Sequence, residues 1–107
     1  MPMYLIKASY TTEGVAGIAE KGGTARREAV EQLLAANGGR LESLYFAFGD
    51  DADVYAIGEL PSNEAAAAIA LAINRSGATK ISTVVLLTPE QIDTAANMNA
   101  EYRKPGA

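Results

Sequence analysis

The chain has neither cysteine nor histidine among its 107 residues, and the two absences together remove most of the usual reaction chemistry. Without cysteine there is no disulfide, no thiolate metal site and no sign of an oxidising compartment. Without histidine the commonest metal ligand, the usual haem axial ligand and the usual general base are missing. Any chemistry falls to carboxylates, Lys, Tyr and Ser/Thr, and no motif calls for a metal or a cofactor. A basic stripe is lacking too. The formal charge is -4, and of nine Lys and Arg only Arg26-Arg27 and Arg103-Lys104 are adjacent, which speaks against a nucleic-acid partner. The longest apolar run, "AAAAIALAI" from Ala65 to Ile73, is roughly half the ~20 residues that a membrane span requires. The opening "MPMYLIKASY" enters a strand pattern at once, with no basic start or apolar stretch of a signal peptide. A cytoplasmic protein is the default expectation.

What is present is an ordered series of short elements. "YLIKASY" reads as a strand, and Thr12 heads a short helix over Val15 to Glu20, which Gly14 and Gly17 weaken. "TARREAVEQLLAANGG" sets Val30, Leu33 and Leu34 on one helical face and ends in Gly38-Gly39. "RLESLYFAF" and "DVYAIGEL" alternate as two strands joined by an acid-rich loop. Pro61-Ser62-Asn63 starts an apolar helix that Gly77 ends, "ATKISTVVLL" is a fourth strand, and "TPEQI" carries a capping box from Thr88 to Gln91. The series predicts an α+β, ferredoxin-like βαββαβ domain over residues 1–97. Both long helices lie on one face of a four-stranded antiparallel sheet, and residues 98–107 form a loosely held tail.

Each predicted strand has one apolar side for the helices: Ile6 and Ala8; Leu44, Phe46 and Phe48; Val54, Ala56 and Leu60; Ile81, Val85 and Leu87. The opposite sides hold Lys7, Ser9, Ser43, Tyr45, Tyr55, Lys80 and Ser82, together with Leu5, Leu41, Ile57, Val84 and Leu86. A face that apolar is rarely left open on a monomer. A second copy of the chain is the expected cover, as a homodimer or higher even oligomer, and a different protein is the alternative. Lys7, Ser9, Tyr45, Tyr55, Lys80 and Ser82 then project into a largely apolar space suited to a small apolar or aromatic ligand. The plainer alternative has the long side chains reaching the rim or bonding across the interface. An enzyme reading, a cofactor-independent isomerase or oxygenase, needs Lys7, Tyr45, Tyr55 or Lys80 as acid or base with shifted pKa values. A structural or regulatory module is the third.

The carboxylates of "GDDAD" invite a cation, but the EF-hand pattern fails: counting from Asp51, Ala56 stands at the glycine position and Ser62 at the glutamate position. A solvated hairpin loop is the better reading, with Asp53, nearest the strand, the residue to watch. "EKGGTARRE" offers an anion a helix N-terminus beside Lys21, Arg26 and Arg27, yet Gly23 occupies the lysine position of a P-loop, and an ordinary helix start is preferred.

Across Tyr4 to about Ala95 the chain resembles the GYD-domain family, most tellingly in "YTTEG", "LYFAFG" and "LLTPE". The resemblance implies a relative of the dimeric α+β barrel proteins, in which two ferredoxin-like sheets face each other. It implies no reaction. The namesake Gly-Tyr-Asp falls within "GDDAD", where Gly49 and Asp53 match its ends and Ala52 stands in the tyrosine's place; only Tyr55 is near enough to substitute.

Overall fold

The computed structural model describes residues 1–106. In chain order the elements are β1 (Met3–Tyr10), α1 (Thr12–Lys21), α2 (Gly23–Ala36), β2 (Arg40–Phe46), β3 (Val54–Glu59), α3 (Asn63–Ser76), β4 (Thr79–Leu86) and α4 (Pro89–Ala96). The sheet order is β2-β3-β1-β4, all pairings antiparallel. This is the ferredoxin-like order, with α1 inserted after the first strand. No helix of the described residues is long and apolar enough to cross a membrane.

Why α1 forms despite two glycines is visible in its packing. A Cβ at Gly14 would lie 2.2 Å from the Ala78 carbonyl oxygen, so only glycine lets the helix approach the turn before β4 so closely. Its cap is Thr11, one residue before the expected Thr12: the hydroxyl accepts from the Gly14 N–H. Gly22, at φ 86, separates α1 from α2. α2 ends in a Schellman motif, with the Gly38 N–H on the Ala35 carbonyl at 3.1 Å and the Gly39 N–H on the Leu34 carbonyl at 2.8 Å.

Helices α2 and α3 cover one face of the sheet. One cluster joins Tyr4, Leu34, Leu60, Ala66 and Ile69; a second joins Ile6, Ala8, Val54, Ala56 and Ile81, and Leu41 and Ile73 pack against both. Tyr4 is 1% exposed, and its hydroxyl donates to Asn63 Oδ1 at 2.6 Å, which satisfies a phenol inside the core. Tyr4→Phe should therefore lower stability by about 1 kcal/mol with the fold unchanged, read from the urea midpoint at constant m-value. Asn74 receives the Ile81 N–H at 2.7 Å and so occupies an outward-facing donor on edge strand β4.

Three residues depart from the expected faces. Leu41 pairs with Gly58, whereas Ser43 pairs with Ile57, so Glu42 is the extra residue of a β-bulge. The bulge turns Leu41 to the helix side, where it joins the core, and removes it from the open face. Phe48 lies beyond β2 and is 99% exposed, so it is no core residue; Leu87 likewise lies past the end of β4 and is exposed.

The C-terminal end stands apart. α4 begins with the expected capping box, Thr88 and Gln91 bonding reciprocally, yet none of its residues is buried. The radius of gyration is 16.8 Å, against about 13 Å for a compact chain of this length, and the longest dimension is 56 Å. Ile92, Met98 and Tyr102 are all exposed along this arm.

Candidate functional site

Opposite the helices, strand register arranges the open face in rows. Facing residues of an antiparallel pair share a side of the sheet, so Ser43, Ile57, Leu5 and Val84 form one row. The next is Tyr45, Tyr55, Lys7 and Ser82, and beyond it Ser9 faces Lys80. On the other side of the Ile57, Leu5 and Val84 row lie Arg40, Glu59, Met3 and Leu86, with Arg40 and Glu59 paired at 3.4 Å. The apolar row thus runs across the face between this row and the polar far end of β1. All six residues expected to line a ligand site, Lys7, Ser9, Tyr45, Tyr55, Lys80 and Ser82, lie together on this face. Five side chains at its polar end, Lys7, Ser9, Asp51, Lys80 and Ser82, line a cleft of about 270 Å3 with Ala52. Tyr45 lies away from that cleft, on edge strand β2, and is 73% exposed.

The acid-rich loop closes one side of the cleft, and its three aspartates do different work. Asp53 is a backbone tie: its carboxylate accepts from the Tyr10 N–H at 2.8 Å, and its own N–H donates to the Ala8 carbonyl at 2.7 Å. Its carbonyl takes the Ala47 N–H at 2.8 Å, so one residue joins the ends of β1 and β3 to the loop after β2. Asp51 places its backbone carbonyl for the Ser9 hydroxyl, 3.1 Å away. Asp50 accepts from the Asp51 N–H at 2.8 Å and from the Tyr55 hydroxyl. Among the described residues no cluster of acidic side chains is arranged to hold a metal ion.

The Asp50–Tyr55 bond sets the electrostatics here. Tyr55's hydrogen bond holds the Asp50 carboxyl below its usual value, with the Asp51 N–H adding to the effect. The same bond pushes Tyr55 up to about 12. A phenol raised in this way keeps its proton at neutral pH and is a hydrogen-bond donor rather than a base. A lowered carboxyl favours the folded state above its ordinary value of 3.8 and loses that contribution as pH falls through the depressed value. A raised phenol contributes fully below 10 and loses its share as pH rises to about 12. Tyr55→Phe should bring the Asp50 titration back up toward the ordinary carboxyl range, followed by carboxyl-carbon NMR; an unmoved Asp50 curve would show that the bond is absent in solution.

The model described as GYD domain matches residues 4–96. The chain belongs to the GYD-domain family. No curated protein matches it. Within this GYD-domain chain Ala52, in the tyrosine's place, is 4% exposed and lines the cleft, while Tyr55 is committed to Asp50.

A second cleft, about 350 Å3, lies between α1 and α2 and includes Tyr10, Ile18 and Arg26. Of its two cations, Lys21 and Arg26, the Arg26 guanidinium is engaged: it sits 5.8 Å from the Tyr10 ring centroid and donates to that hydroxyl at 3.3 Å. Arg27 pairs with Glu31 at 3.7 Å on the same helix. The basic residues after Gly22-Gly23 thus serve local contacts, in keeping with an ordinary helix start. Sequence reasoning had no means of locating this cleft, because its walls come from helices whose relative packing no local pattern specifies.

Proposed function

We propose that two copies of the chain pair through their open sheet faces and hold a small, largely apolar molecule between them. The observation that carries this reading is the row Ile57, Leu5 and Val84, apolar side chains of three paired strands with no helix of their own chain over them. Val84 is 42% exposed, and water is a poor long-term neighbour for such a row. A four-stranded face with strands of six to eight residues covers roughly 500 Å2 in projection, short of the ~800 Å2 per partner of a standard interface. The exposed arm of α4, with Ile92 and Met98, supplies further apolar surface, and a partner subunit is its natural support. The likeness of the GYD-domain family to the dimeric α+β barrel proteins points the same way.

The paired faces suit binding more than catalysis. The polar groups beside the apolar row are Lys7, Ser82 and a tyrosine that keeps its proton on one side and the Arg40–Glu59 ion pair on the other, with Lys80 and Ser9 one row further. A cavity with apolar walls and few convergent polar groups is the usual build of a small-molecule site. Sedimentation equilibrium tests the assembly. A particle of twice the 11.2 kDa chain mass, or a higher even multiple, is expected; a single-chain mass throughout the micromolar range contradicts the pairing.

A further inference from the structure

We propose that the polar end of the open face is an anion subsite: Lys7, Lys80 and Ser82 hold the carboxylate head of a small molecule whose apolar body lies on Leu5 and Val84. The location rests on the register. Lys7 faces Ser82 and Ser9 faces Lys80, so the two lysines stand diagonally across adjacent strands, about 7 Å apart at their Cβ atoms. Both stems are long enough for the ammonium groups to converge on one pair of oxygens. Both lysines line the cleft of about 270 Å3, which adjoins the apolar row.

The partners these residues lack are as informative as their positions. Among the described residues neither Lys7 nor Lys80 takes part in an ion pair, unlike Arg27 with Glu31 and Arg40 with Glu59. Among the described residues the Ser82 hydroxyl has no hydrogen-bond partner, whereas the Ser9 hydroxyl is spent on the Asp51 carbonyl. Ser9 therefore fixes the loop against the strand, and Ser82 retains a donor for a ligand. Asp50, the carboxylate whose field reaches Lys7, already accepts from Tyr55 and the Asp51 N–H.

The wall also selects the charge of the head group. Asp51 is the acidic residue among those lining the cleft, and its negative charge nearby favours a singly charged carboxylate over a phosphate dianion. The inference deepens the paired-face reading and rests on it for the cover over the ligand's apolar body. Under that cover two lysines whose ammonium groups make no ion pair, with the Asp51 and Asp50 charges as partial compensation, leave a net positive charge that an anion relieves.

The test compares 3-phenylpropionate with its uncharged analogue 3-phenylpropionamide, by amide NMR titration of the full chain, with mass measured alongside. Roughly tenfold tighter binding of the acid is expected, with shifts over Leu5–Ser9 and Lys80–Val84. The preference should vanish in the double variant Lys7→Met/Lys80→Met at unchanged oligomeric mass and persist in Lys21→Met. Equal binding of acid and amide, shifts confined to α1 and α2, no binding of the acid at millimolar concentration, or a preference that survives the double variant would each overturn the subsite. If the double variant does not fold, the wild-type comparison of acid with amide decides. A single-chain mass with the acid preference intact removes the paired-face reading and leaves the subsite standing.

Discussion

Gly39→Ala is expected to destabilise the chain by about 3 kcal/mol or more, enough to lower the melting temperature by roughly 12 °C or more. The cause is a close approach rather than a special backbone angle. A Cβ at Gly39 would sit 2.1 Å from the Glu59 carbonyl oxygen and 2.8 Å from Leu60 Cδ2. The first of these is backbone in β3, held by its ladder to β1 and β2. The second belongs to a side chain 1% exposed in the core. Neither can yield without separating α2 from the sheet. Two other glycines bracket the effect. Gly38, at φ 82, has its would-be Cβ no nearer than 3.5 Å to anything, so Gly38→Ala should lose only about 1 kcal/mol from the left-handed conformation. Gly17 lies within α1 with open space around it, and Gly17→Ala should gain up to about 1 kcal/mol of helix propensity. Urea unfolding of the three variants should give that order; Gly39→Ala as stable as wild type would disprove the observed packing of the α2 terminus on β3.

Leu5→Glu should separate the proposed subunits without unfolding either. Leu5 lies between Ile57 and Val84 in the middle of the sheet, on the side away from the helices. In a single chain the new carboxylate meets water and the core is untouched, so the far-UV circular dichroism should match wild type. Between two closed faces it is an unpaired charge in an apolar setting, and a two-fold axis brings a second copy near it. A loss of about 4 kcal/mol in association, close to a thousandfold in the dissociation constant, follows. Sedimentation velocity at micromolar concentration should then report the 11.2 kDa chain. An unchanged oligomer would place the interface elsewhere, on the arm alone or on the helices.

The strands, the two long helices and the ferredoxin-like order were legible because their periodicities are strong. Leu44, Val54, Ala56, Ile6 and Ile81 alternate cleanly, and one period places them all on the helix side. The errors fall where that period breaks. The bulge at Glu42 inserts a residue, so counting inward from Leu44 put Leu41 on the wrong face; no residue type in "RLES" announces it. Phe48 continues the alternation by sequence, but β2 ends at Phe46, where the Ala47 N–H turns to Asp53. α1 was underrated because Gly14 and Gly17 look alike in sequence; only contact with Ala78, in the turn before β4, distinguishes the glycine that is required from the one that is not.

The site was legible in part for the same reason. Alternation alone gathers Lys7, Ser9, Tyr55, Lys80 and Ser82 on the open face. It says nothing of cross-strand register, and so could not show that Lys7 and Lys80 stand diagonally, or that the loop brings Asp51 alongside them. Asp53 was singled out as the aspartate nearest the strand; its geometry makes it a tie between strands. Asp50, unremarkable in the sequence, is the residue that fixes Tyr55's proton.

Native mass spectrometry of the protein freshly purified from cells tests the paired-face account most directly. The account predicts an even multiple of the 11.2 kDa chain carrying the added mass of a retained small molecule, lost together with the assembly in Leu5→Glu. A bare single chain would contradict it and turn attention to a different protein as the cover for the open face.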